Sequence, residues 1–269
     1  MHDAQRATNP PGSLCRSRHD GRDLVVFGAL AVLVSWGTWL PVLRWPGLRL
    51  LALIGLYGPA FAAIITVAMA DGRPGVRALL RRLCVWRVAL TQYLLAALLM
   101  PTLFVLAVWL RSGLHDIVSH ARPLFLIAAF GWLLVITTGE ELGWRGYALP
   151  SLQSLGWSSW WAGAALGVFW AIWHLPLYLD PAQGRSFPFA VFLFFMIGLS
   201  LIYTAIFNRS SGSILPAIVL HASTDELPRV FNVALFTPRT WVITTALVWL
   251  VALACILLNR SEAMRPTTR

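Results

Sequence analysis

The 269-residue chain contains no lysine; all 21 of its basic residues are arginine. That reflects a compositional bias toward GC-rich codons and carries no mechanism. Charge of any kind is scarce, at 12% of residues against about 25% in soluble domains, which excludes an ordinary soluble fold. Cysteine is scarcer still. Cys15, Cys84 and Cys255 are far apart and in no metal-ligand spacing, so they read as free thiols rather than a disulfide framework. No run alternates apolar with polar residues, which argues against a membrane barrel. No small-residue cleavage site precedes Pro41, so the first apolar run reads as an uncleaved span and not a signal peptide. There is no internal repeat and no polar stretch long enough for a soluble domain. The formal net charge of +10 raises nucleic acid as a partner. Most arginines, however, flank apolar runs, as the positive-inside rule expects, and nucleic-acid binding is set aside.

What is present is apolar sequence. Hydrophobic residues make up 58% of the chain and the mean hydropathy is +0.70. Runs of spanning length recur, which predicts an all-α polytopic membrane protein. Eight spans are expected, at about 24–40, 51–70, 89–110, 123–149, 158–179, 187–207, 213–233 and 240–258. Residues 1–23 read as a disordered, arginine-rich cytosolic tail. Residues 24–122 form an N-terminal set of spans, 123–233 a catalytic core, and 234–269 a last span with a basic tail. The connections are short except for a basic loop at 71–88. Placing the N-terminus inside puts fourteen arginines on the cytosolic side and seven outside, so both termini are expected in the cytosol.

Four polar clusters interrupt the second half. Glu140, Glu141 and Arg145 end the fourth run. Glu141 and Arg145 are i and i+4 with the acid first, the favourable order for a helical ion pair. Glu140 points about 100° away from Glu141 and is the freer carboxylate, hence the better general base. In the fifth run Trp170 and His174 share a face, and Gly163 and Gly167 lie on the same stripe. A small-xxx-small pair admits a neighbouring helix, which turns the histidine inward. At 1.5 Å per residue His174 lies deeper than Glu140 and His221, so this run is expected to tilt or to start at the interface near Trp157, Trp160 and Trp161. In the seventh run His221 and Asp225 are i and i+4 and address one point. Glu226, next to Asp225, faces elsewhere and nearer the membrane surface.

Each cluster alone has a structural reading: an ion pair, a packed histidine, a His–Asp pair. Together they place an acidic pair, two histidines and a further acid on three apolar helices. Ionised groups inside a bilayer cost roughly 2.5–3.5 kcal/mol each on insertion scales, so a functional site is the stronger explanation. The set suits water activation by a carboxylate with imidazoles orienting the reacting groups. One carboxylate with two histidines (Glu140, His174, His221) equally suits zinc or another divalent metal, though the order is not that of HExxH enzymes. A proton-coupled carrier also uses buried Glu and His, but the missing repeat and the confinement of the polar residues to one half argue against it. A catalytically silent scaffold stays open.

Glu140-Glu141-Leu142-Gly143-Trp144-Arg145-Gly146 is a full match to the EExxWRG motif of the CPBP family. That family comprises the type II CAAX prenyl proteases and the bacteriocin-processing or immunity proteins, also called Abi. The chain resembles the family over roughly 123–233. The family's FxxxH stands here as Trp170-xxx-His174, followed by Leu175-Pro176-Leu177. Its HxxxN stands as His221-xxx-Asp225, with an acid in place of the amide. The resemblance implies an eight-helix intramembrane endopeptidase with an active-site cavity open to the cytosol, in a bacterial plasma membrane. It implies a membrane-associated peptide or protein as substrate, prenylated or not. Carried over, Glu140 activates water with His174 assisting, His221 and Asp225 stand where the tetrahedral intermediate is stabilised, and Glu141, Arg145 and Trp170 support the site. A metal-independent and a zinc mechanism both fit. The substrate's identity and the oligomeric state are not legible.

Overall fold

A computed structural model describes residues 20–48, 50–113, 126–180, 187–230 and 235–258, with the side chains of 46, 126–129 and 228–230 not described. Most of the expected disordered tail and the C-terminal tail lie outside these residues. The described part is all-α. Its elements are α1 (Gly21–Arg44), α2 (Leu51–Leu56), α3 (Gly58–Arg81), α4 (Leu90–Ser112), α5 (Leu126–Gly143), a π turn (Trp144–Ala148), α6 (Leu149–Ser154), α7 (Ser159–Trp173), α8 (Leu175–Leu179), α9 (Phe189–Arg209), α10 (Leu215–Val230) and α11 (Pro238–Leu258). Within the described residues the expected apolar runs are helical; residues 123–125 of the fourth run and 231–233 of the seventh lie outside them. Among the described residues α1, α4, α9 and α11 are long and apolar enough to cross a membrane. The chain is an all-α membrane protein.

Several boundaries differ from the sequence reading, each for a local reason. The first helix starts at Gly21, not 24. Asp20 accepts from the Asp23 amide at 3.0 Å while Asp23 accepts from the Asp20 amide at 3.4 Å, a reciprocal cap that fixes the start. The second run is two helices, because Gly58-Pro59 opens a new one at the position proline favours. The basic 71–88 stretch is not a loop. Helix α3 continues to Arg81 through a kink at Gly72 (φ 63°), and Arg82–Cys84 add a 3₁₀ turn. The fifth run breaks at His174, ahead of Pro176, which has no N–H to continue the ladder.

The long helices pack in a ring. Helix α1 lies on α3, α3 on α5, α5 on α10, α10 on α4, α4 on α11, α11 on α9 and α9 on α7, and α7 closes the ring on α1. On α1, Phe27, Ala31, Ser35 and Trp39 face protein at four-residue spacing, while Val25 and Leu33 on the outer face are exposed. In water such outer residues would be an aggregation hazard; in a bilayer they are the lipid surface.

Small residues set the closest approaches. A Cβ at Gly167 would lie 2.7 Å from the Ile197 Cα, and one at Gly163 2.5 Å from the Thr204 Oγ1, so the expected glycine stripe of α7 does admit α9. A second pair brackets the glutamates. A Cβ at Gly143 would lie 2.6 Å from the Pro59 carbonyl carbon, and one at Gly139 2.8 Å from the Tyr57 ring. Tyr57 also donates to the Val135 carbonyl at 2.6 Å. The start of α3 is thereby pressed against the motif helix. Buried hydroxyls such as Thr137 and Thr204 bond to carbonyls one turn back, Leu133 at 2.9 Å and Ser200 at 2.8 Å, and so bring no unsatisfied group into the apolar layer.

Candidate functional site

The charged residues of α5 and its π turn point into the middle of the ring, between α7, α9 and α10. Glu141 and Arg145 are fully buried. Arg145 Nη1 donates to both Glu141 oxygens, at 3.0 and 3.2 Å. The expected i, i+4 pair is therefore present although the helix widens into a π turn between its members. Pro150, lacking an N–H and crowding the carbonyl four residues back, favours such a widened turn just before it; the Leu149 amide bonds the Trp144 carbonyl instead. The Arg145 guanidinium lies 4.4 Å from the Trp170 ring centre and 4.0 Å from that of Tyr203, and Nη2 donates to Ser200 at 3.4 Å. Two π faces and a carboxylate together hold a cation that burial alone would expel.

Glu141 has a second partner that the sequence did not reveal. His221 Nδ1 is 2.8 Å from Glu141 Oε1. A carboxylate paired to arginine only accepts, so Nδ1 carries the proton and donates. Nε2 then faces two other carboxylates, Glu140 Oε2 at 4.0 Å and Asp225 Oδ2 at 3.8 Å. His221 and Asp225 do approach one another, but beyond hydrogen-bonding distance. The tight partner of His221 is on another helix.

Glu140 is 3% exposed. Its Oε2 accepts from the Trp170 indole N–H at 2.9 Å. Trp170 thus connects the cluster: its ring edge meets His221, with centroids 5.3 Å apart, and its carbonyl accepts from His174 Nδ1 at 2.9 Å. His174 is half-buried at the break after α7, with its ring against Trp173 and Phe192. The break is anchored by Trp36 of α1, which donates to the Trp173 carbonyl at 2.9 Å. At the other end of α7, Trp157 and Trp161 are exposed, as an interfacial start requires.

Access is graded. Glu140 and His221 are almost closed off, whereas the Asp225 side chain is 44% exposed. The site opens past Asp225. Glu226 is buried. Among the described residues no group of three His, Cys, Asp or Glu side chains is arranged to hold a metal ion. His221 Nε2 stands 4.0 Å from Glu140 Oε2, but His221 Nδ1 is committed to Glu141 and His174 Nδ1 to the Trp170 carbonyl. The three-ligand set does not fit this arrangement, and no step below passes through a metal.

Residues 121–227 match the family model "Type II CAAX prenyl endopeptidase Rce1-like". The chain is also 28% identical over 229 residues to CAAX prenyl protease 2 of Methanococcus maripaludis, an alignment that covers 78% of this chain and 82% of that protein. Both matches are to type II CAAX prenyl proteases, the group whose EExxWRG motif the chain carries at Glu140–Gly146. The matched stretch contains Glu140, Glu141, Arg145, Trp170, His174, His221 and Asp225. Sequence reasoning missed Ser200 and Tyr203 of α9. Their signal was a serine and a tyrosine within a largely apolar run.

Proposed function

We propose that this protein hydrolyses a peptide bond in a membrane-associated peptide or protein, with Glu140 as the base that activates water. One observation carries the reading. Glu140 is a buried carboxylate with one oxygen fixed by the Trp170 N–H, facing a histidine whose other nitrogen is locked by an arginine-neutralised Glu141. Glu140 takes a proton from water, and the hydroxide attacks the scissile carbonyl carbon. The tetrahedral oxyanion forms beside His221. Protonated at Nε2, this ring donates to it. Asp225, which only accepts, supports that proton and supplies no donor of its own. His174, held by the Trp170 carbonyl, orients the water and the substrate carbonyl. Glu140 then returns its proton to the leaving amine as the C–N bond breaks. Glu141, Arg145, Ser200 and Tyr203 fix the framework.

The substrate is a CAAX-protease-like one, entering past Asp225 from the cytosolic side of a bacterial plasma membrane, with both chain termini on that side. The arginine distribution supports this orientation. A second reading, a catalytically silent immunity or scaffold protein, is favoured by one observation: Asp225 offers no amide donor. Cleavage of a peptide library by the protein in liposomes, with and without chelator, separates the readings. Expected are cleavage unaffected by chelator, and its loss in Glu140→Ala and His174→Ala proteins that still insert. Full activity in either variant overturns the assignment, chelator-sensitive cleavage overturns the metal-free mechanism, and no cleavage with any peptide favours the silent reading.

A further inference from the structure

Away from the Glu140 cluster, the C-terminal part of α3 has an unusual surface. The helix breaks at Gly72, where φ is 63° and a side chain would be strained. It resumes at Arg73. Arg73, Arg77 and Arg81 recur every fourth residue, with Val76 and Leu80 between them and Cys84 one turn further on. With Gly72 and Ala68, these residues line a groove of about 660 Å³. At 100° per residue the side chains from Arg73 onward cover about 140° of the helix circumference.

The opposite face is already docked. Gly75 and Leu79 are buried. Arg82 reaches the Gly212 carbonyl at 3.5 Å, in the turn between α9 and α10, and lies 5.8 Å from the Phe207 ring centre. The segment is held on one side and open on the other. Arg73, Arg77 and Arg81 are exposed, and among the described residues no carboxylate forms an ion pair with them.

Its level relative to the bilayer is legible as well. The segment lies between the apolar half of α3 and the start of α4 at Leu90. Trp86 is 65% exposed, with the Arg87 guanidinium 5.2 Å from its ring centre. An exposed tryptophan beside arginines marks the boundary between headgroups and acyl chains.

We propose that this groove binds an anionic phospholipid of the surrounding bilayer. Arg77 and Arg81 hold the phosphate through their planar forks, with Arg73 flanking it. The acyl chain runs along Val76 and Leu80 toward Ala68, on the apolar side of the Gly72 break. A soluble phosphate has no use for these apolar residues, and a zwitterionic lipid leaves three positive charges uncompensated. The site is independent of the proteolytic reading.

Cys84 lines the groove and is exposed, so its alkylation by a water-soluble maleimide reports occupancy. The experiment uses the full chain carrying Cys15→Ser and Cys255→Ser in neutral detergent micelles. Phosphatidylglycerol, phosphatidylcholine, inorganic phosphate and an acidic peptide are compared. Phosphatidylglycerol is expected to slow alkylation at least about fivefold, and the other three to leave it unchanged. At roughly fivefold in affinity per arginine, Arg77→Gln with Arg81→Gln shifts the protecting lipid fraction by about 25-fold. Arg77→Lys with Arg81→Lys, which keeps the charge and loses only the forks, protects at a lipid fraction between those of the parent and the glutamine variant and controls for folding. Equal protection by phosphatidylcholine, protection by phosphate or the peptide, no protection by phosphatidylglycerol, or undiminished protection in the glutamine variant each overturns the proposal.

Discussion

The same chemical change at two adjacent residues is expected to give opposite results. Glu141→Gln removes a buried charge that three donor contacts converge on: Arg145 Nη1 at 3.0 and 3.2 Å and His221 Nδ1 at 2.8 Å. A glutamine offers one acceptor oxygen and turns its NH₂ against the remaining donor. Breaking a buried pair by removing one partner costs about 3–5 kcal/mol. The amide keeps one contact, so about 3 kcal/mol is expected, a fall in Tm of roughly 6–12 °C for a chain of this size. Glu140→Gln differs. Its carboxylate accepts from the Trp170 N–H at 2.9 Å, a bond that an amide oxygen accepts equally well. Its stability is expected to change by less than about 1 kcal/mol. Its cleavage rate falls by about 10²–10⁴-fold, the worth of a general base. Thermal unfolding in detergent and peptide cleavage by the same preparations measure both. Equal losses of Tm at the two positions, or substantial cleavage by Glu140→Gln, would refute the division between a framework acid and a reacting acid.

Trp170→Phe keeps a ring against Arg145 and His221 but removes the N–H on Glu140. A hydrogen bond to a charged group is worth about 1.5–3 kcal/mol, so kcat is expected to fall roughly 10- to 100-fold with KM little changed; an equal rise in KM would point to substrate binding instead. Asp225→Asn alters a half-open side chain 3.8 Å from His221. It is expected to keep at least about a fifth of the activity, while His221→Ala loses about 100-fold or more; matching losses would make Asp225 an essential acid. Gly143→Ala forces a Cβ to within 2.6 Å of the Pro59 backbone, whereas Gly131→Ala meets nothing within 4 Å. The first is expected to destabilise by about 1–3 kcal/mol and the second to leave Tm unchanged.

The sequence by itself determined the helical class, because continuous apolar runs with flanking arginines have no other stable form in lipid. It also determined the Glu141–Arg145 pair, since i and i+4 neighbours meet within one helix and the π turn did not part them. That another helix packs closely on α7 was legible in Gly163 and Gly167; that the helix is α9 was not. Contacts between helices were another matter. That His221 is held by Glu141 at 2.8 Å rather than by Asp225, and that the Trp170 N–H lands on Glu140, follow from how α5, α7 and α10 are set around the ring. No periodicity within one helix encodes that. The basic 71–88 stretch looked like a loop because arginines mask the apolar pattern. Only the tertiary structure showed a kinked helix whose buried face, Gly75 and Leu79, packs on protein. Spacing along the chain fixes what a single helix presents. Which presented groups meet is fixed by the small residues that let helices approach, and by the few charges that had to find partners away from lipid.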